Sequence, residues 1–118
     1  MATVKGRDLY KVPTTGKMTI ANVISTCNSA GRDAPCLNTY YADSKCTLVK
    51  SGNHIFEHMR DVICPGLDFR KCKQLQNVFV YMTKKDHYGE GGKESYGVVD
   101  EKDVYGRDNV DKFALCVS

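Results

Sequence analysis

His54-Ile55-Phe56-Glu57-His58 sets two imidazoles four residues apart with a carboxylate between them, the H-x-x-E-H spacing. On a helix, residues four apart share a face. Both rings can then meet one tetrahedral ion while the glutamate activates a bound water. A catalytic zinc also needs a third protein ligand held on a rigid element. The downstream candidates, Glu90, Glu94 and Glu101, fall in a charged, glycine-rich stretch. His54, Glu57 and His58, with Asp61, are therefore read as the solvated polar face of a helix. No metal or other cofactor is expected.

Acid–base cleavage of RNA is the second chemistry to weigh. Ser51-Gly52-Asn53-His54 resembles the Tyr-Pro-His segment of fungal guanyl-specific ribonucleases, and Gly106-Arg107-Asp108-Asn109-Val110 resembles their C-terminal Gly-x-Asp-Arg-Val. That chemistry needs a base beside the attacking 2′-hydroxyl and an acid at the leaving oxygen. The strand that should present a glutamate, Asn77–Met82, holds no carboxylate. No histidine follows His87, and Asn109 stands where that family has arginine. The resemblance implies at most an inactive or weak relative, so no catalytic residue is assigned. The run Tyr88-Gly-Glu-Gly-Gly-Lys-Glu lacks the P-loop register, and its glutamates repel phosphate.

Charge gives little support to nucleic-acid binding. The 118 residues carry a net charge of +3. Residues 1–81 hold eleven basic and six acidic side chains, and residues 82–118 hold six and eight. The densest basic run is Arg70, Lys71 and Lys73. Tyr10, Tyr40, Tyr41 and Tyr81 are read as core or rim packing rather than as a base-stacking platform. A charge distribution split in this way suits steering towards an acidic protein partner.

The elements that must position these groups follow from periodicity. Ile20, Val23, Ile24 and Cys27 form one helical stripe, with Thr19 as N-cap and Ala30-Gly31 as the stop. Ile55, Met59, Val62 and Ile63 form a second, capped by Ser51 or Asn53 and ended by Pro65-Gly66. Asn38–Tyr41 and Cys46–Lys50 read as short strands. Asn77–Met82 reads as a central strand, apolar on both faces. Further strands are expected near Tyr96–Val99, near Asp103–Tyr105 and over Phe113–Val117. The fold class is α+β: one domain over residues 1–118, an antiparallel sheet of about four strands with two or more short helices on one face.

Cys27, Cys36, Cys46, Cys64, Cys72 and Cys116 complete the frame. No C-x-x-C pair is present, which argues against zinc knuckles and thiol redox motifs. Wide spacing suits disulfides. Six cysteines allow 15 pairings, and the sequence does not choose among them. A bridge from Cys27 should run from the apolar stripe towards the core, and Cys116 should pin the C-terminal strand. Disulfides point to an oxidising compartment. Met1–Tyr10 lacks the apolar run of a signal peptide, so the chain is read as a mature secreted form with an added initiator methionine. No window is apolar enough to span a membrane.

Six dispersed cysteines, the stripes Ile20–Cys27 and Ile55–Cys64, the segment Leu67-Asp68-Phe69-Arg70-Lys71-Cys72 and the strand Asn77–Met82 resemble the small secreted cysteine-rich effectors of plant-pathogenic fungi. Within that class the chain is most similar to the Leptosphaeria avirulence family. The resemblance implies a non-enzymatic, monomeric protein, secreted and acting outside or inside host cells. It would bind a host plant protein and be recognised by a resistance receptor. Arg70, Lys71 and Lys73, with the charged stretch 83–112, are the expected binding surface. An antimicrobial or killer-toxin-like protein is the alternative outside this class.

Overall fold

In the computed structural model, which describes residues 1–82 and 95–118, the chain forms a mixed six-stranded sheet with a helix on each face. The strands are β1 (Ala2–Val4), β2 (Arg7–Pro13), β3 (Val78–Tyr81), β4 (Ser95–Val99), β5 (Lys102–Tyr105) and β6 (Phe113–Val117), in the spatial order β1-β2-β6-β3-β4-β5. Neighbours are antiparallel except β6 and β3, which run parallel through Val78↔Phe113 and Phe79↔Ala114. The sheet is therefore not purely antiparallel, because the C-terminal strand inserts between β2 and β3.

All four residues of β3 are buried, and their alternation divides the interior into two layers. Val78 and Val80 share one layer with Leu9, Val98, Leu115 and Val117. Phe79 and Tyr81 share the other with Ala114 and Cys116. Helix α1 (Ile20–Ser29) supplies Val23 and Cys27 to the Phe79 layer, and helix α2 (Ile55–Ile63) supplies Ile55, Phe56 and Met59 to the Val80 layer. The expectation of helices on one face is thus corrected: a strand apolar on both sides needs cover on both sides.

Helix α1 starts and stops as its sequence dictates. Thr19 Oγ1 accepts the Asn22 N–H at 3.2 Å. At the other end Gly31 takes φ +73°, so that its N–H reaches Asn28 O at 3.0 Å and Arg32 N–H reaches Cys27 O at 2.9 Å. This is a Schellman closure that a β-carbon would disfavour.

Two strand expectations fail. Residues 38–41 and 46–50 form no strands; they lie in a turn-rich excursion held by isolated bridges, Pro35↔Thr47 and Cys36↔Tyr81. The hairpin β1–β2 went unread, although Lys5 (φ +53°) and Gly6 (φ +74°) make the two-residue turn that suits a right-twisted hairpin.

The disulfides are Cys27–Cys116, Cys36–Cys46 and Cys64–Cys72. The first ties α1 under its apolar face to β6, as read from the stripe. No helix among the described residues is long and apolar enough to cross a membrane.

Candidate functional site

The densest convergence of ionisable and aromatic groups lies where α2, the turn 64–75 and the β4–β5 hairpin meet. The turn is short and doubly fixed. Cys64–Cys72 closes it, and Asp68 caps its first 3-10 turn, Phe69–Lys71, by accepting the Arg70 N–H at 2.8 Å. That hydrogen bond, helped by the Arg70 and Lys71 charges, holds the Asp68 carboxyl below its ordinary range. Gln76 then joins the turn to the sheet. Its amide donates to Arg70 O (2.8 Å) and Cys72 O (3.1 Å), and its oxygen accepts the Glu101 N–H (3.0 Å).

The Arg70 guanidinium lies over the Phe69 ring, 4.4 Å from its centre. Its Nε donates to Asp103 Oδ1 at 2.9 Å and its Nη1 to Asp68 Oδ1 at 3.3 Å. Burial works against this charge, but Asp103 holds the guanidinium protonated more firmly than usual. The Tyr96 hydroxyl donates to the same Asp103 oxygen. Burial, and then that hydrogen bond, push Tyr96 above its ordinary value. Side chains from three elements thus meet at one Asp103 oxygen.

His54 sits beside this network. It is the N-cap of α2 and not part of the helix face: its Nδ1 accepts the Phe56 N–H at 3.2 Å. Its ring stacks on Phe69 at 5.0 Å and meets the edge of Tyr96 at 4.9 Å. Burial lowers it to about 4; Asp103 opposes the shift, and Arg70 and His58 add to it. His58, one turn along, is 8% exposed, and its Nε2 has no hydrogen-bond partner among the described residues. Burial lowers its affinity for a proton too, with the Lys50 charge adding to the effect. The solvated-face reading therefore fails for both histidines. It holds for Asp61, which is exposed, while Glu57 is half-buried.

His54, Arg70, Tyr96 and Asp103 line a cleft of about 200 Å³, with Leu37, Asn38, Tyr41, Met82 and Tyr105 as its other walls. Two larger depressions flank α1, but they are walled mainly by serine, threonine, asparagine and alanine, with Asp33 and Lys45 the ionisable residues there. The cleft is the better candidate on chemistry, not on size.

The zinc reading does not fit this geometry. The Nδ1 of His54 is occupied by its own helix, and His58 faces the interior. Among the described residues no three histidine, cysteine, aspartate or glutamate side chains are placed to hold a metal ion. Glu90, Glu94 and the glycine-rich run 88–94 lie outside the described residues, as does the 83–94 part of the charged stretch 83–112.

The basic triplet separates into two roles. Arg70 is half-buried and paired, whereas Lys71 and Lys73 are exposed, with no ion pair among the described residues. Among the tyrosines, Tyr81 is buried and donates to Asp43 at 2.6 Å. Tyr10 lies under the Arg32 guanidinium, 3.8 Å away. Neither presents a free stacking face. Asp103 and Tyr96 were missed as site residues: each reads as an ordinary strand residue, and only the β4–β5 register beside the stapled turn unites them. No protein-family model, curated protein or solved structure matches this chain.

Proposed function

We propose that the protein is a small secreted effector of the plant-pathogen type that acts by binding a host plant protein. Its docking surface is the stapled turn carrying Lys71 and Lys73. The carrying observation is the division of labour around that turn. Its two exposed lysines project from a backbone fixed by Cys64–Cys72 and by the Arg70–Asp103 pair, while the neighbouring ionisable groups are committed to each other. Exposed cations on a fixed backbone are suited to meeting an acidic surface, because the turn that carries them need not be ordered on contact.

The cleft supports binding over catalysis. A general base needs a lone pair facing the substrate and a proton affinity near the working pH. The Nδ1 lone pair of His54 is spent on the Phe56 N–H, and burial keeps the ring neutral. Three disulfides support an oxidising destination.

The test is the double variant Lys71→Glu/Lys73→Glu, compared with wild type for capture of a partner from host leaf extract. About tenfold weaker capture is expected with unchanged circular dichroism. Wild-type capture by the folded variant refutes the assignment. Cleavage of total RNA by the purified wild-type protein would replace it with the ribonuclease reading.

A further inference from the structure

We infer that His54 is an acid-sensitive latch: neutral, it caps α2 and clamps the helix to the stapled turn and the sheet; protonated, it releases both. The geometry is that of a joint. One imidazole touches α2 through the Phe56 N–H, the turn through the Phe69 ring and β4 through the Tyr96 ring. Asparagine, serine or aspartate ordinarily fills an N-cap because each accepts the hydrogen bond at every physiological pH. A histidine accepts it only while Nδ1 is unprotonated.

Protonation acts on all three contacts together. The new Nδ1–H faces the Phe56 N–H, donor against donor. A cation is placed at the helix N-terminus, where the macrodipole already presents positive charge. The charge arises in a half-buried site. The groups facing it are Arg70 on the turn and His58 on α2, which repel it, and Asp103 on β5, which attracts it. Asp103 is already shared by Arg70 and the Tyr96 hydroxyl. An imidazolium recovers part of the loss by stacking on Phe69, but burial dominates the balance. His58 adds to the same response: its Nε2 is buried and unpartnered among the described residues, and burial and the Lys50 charge outweigh Asp61, the Asn53 backbone and Glu57, which favour its proton. The device does not depend on what the lysine surface binds.

The size of the response follows from linkage. Opening α2 returns His54 to an ordinary histidine near 6.5, whereas closed it titrates at about 4. The opening equilibrium therefore rises by about tenfold per pH unit between these values, about 300-fold in all.

Amide hydrogen exchange, corrected for intrinsic rates, tests this. Protection of the Phe56–Met59 amides should fall steeply from pH 6.5 to 4 relative to that of α1. In His54→Asn, whose amide oxygen caps without titrating, that slope should fall to the share His58 supplies, whatever the overall stability. A pH-independent ratio of α2 to α1 protection, or an unchanged slope in His54→Asn, overturns the latch. A ring ¹⁵N titration of the wild type tests it without substitution. An Nε2–H tautomer with a midpoint near 4 is expected, and an ordinary midpoint near 6.5 overturns it.

Discussion

Gly106 bears the strictest demand placed on a single residue. A β-carbon built there would overlap the Met18 carbonyl oxygen and the Ser95 hydroxyl, which hydrogen-bond to each other. The obstruction is a backbone carbonyl that is itself fixed, since the Met18 N–H donates to Asn109 O at 2.9 Å. No rotamer change relieves it. Gly97 is also tight, but there one of the opposing groups is the edge of the Phe79 ring, 2.6 Å away, beside Val78 O at 2.7 Å. Gly106→Ala should cost about 3 kcal/mol or more, beyond the ordinary range for overpacking. A urea midpoint equal to that of wild type would contradict this. Residue roles of this kind were poorly legible in sequence. Gly106 reads as loop punctuation, and His54 reads as a helix-face residue because nothing in its neighbourhood announces Phe69 and Tyr96 as its packing partners. The exposure of Lys71 and Lys73 was legible, since surface charge needs no tertiary partner.

Elements were legible where one periodicity dominated. The stripe of α1 and the all-apolar run of β3 needed no tertiary knowledge; α2 was legible as a helix, but its buried face takes in Phe56 and leaves Val62 exposed. Residues 38–41 and 46–50 failed because a short aromatic or β-branched run is strand-like only if a neighbour offers a ladder. Here Cys36–Cys46 closes the excursion into turns instead. Hairpin β1–β2 was hidden by its charged, edge-type composition, yet its Val4-Lys5-Gly6-Arg7 turn was the available signal. The disulfide pairing belongs to topology and was not legible at all. It makes a graded prediction. Cys27–Cys116 spans 89 residues of chain, against 10 for Cys36–Cys46 and 8 for Cys64–Cys72. Chain-entropy reasoning assigns about 4–5 kcal/mol to the first and about 2.5–3 kcal/mol to each of the others. Replacing Cys27 and Cys116 together by alanine should therefore lower the free energy of unfolding most. It also detaches α1 from β6. Equal losses from the three paired replacements would show that loop length does not govern these bridges.

At the scale of the whole molecule, the buried titratable groups set a pH window for stability. His54 and His58 both bind protons less readily folded than unfolded. Their contributions are complete above pH 6.5, the unfolded value, and are lost as pH falls through the folded ones. For His54 the loss is complete below about 4 and amounts to about 3 kcal/mol. Asp68, held low, acts in the same direction at still lower pH. Tyr96 sets the opposite limit. Its folded value lies above the unfolded value of 10.0, so an unfolded chain releases that proton first, and stability falls as pH rises beyond about 10. Urea midpoints should therefore form a plateau between roughly pH 6.5 and 10 and decline on both sides. The two limbs have separate origins. His54→Asn should reduce the acid limb to what His58 and Asp68 supply and leave the alkaline one, while Tyr96→Phe, which cannot ionise, should flatten the alkaline limb at the cost of the hydrogen bond to Asp103. If His54→Asn retains the full acid limb, the loss lies in His58 or in carboxylates, and His54 is not the acid-sensitive part of the joint between α2, the stapled turn and the sheet. If the limb shrinks to what His58 and Asp68 supply, the first structure lost on acidification adjoins the surface that presents Lys71 and Lys73, so acid should weaken partner binding before the disulfide-tied remainder of the sheet unfolds.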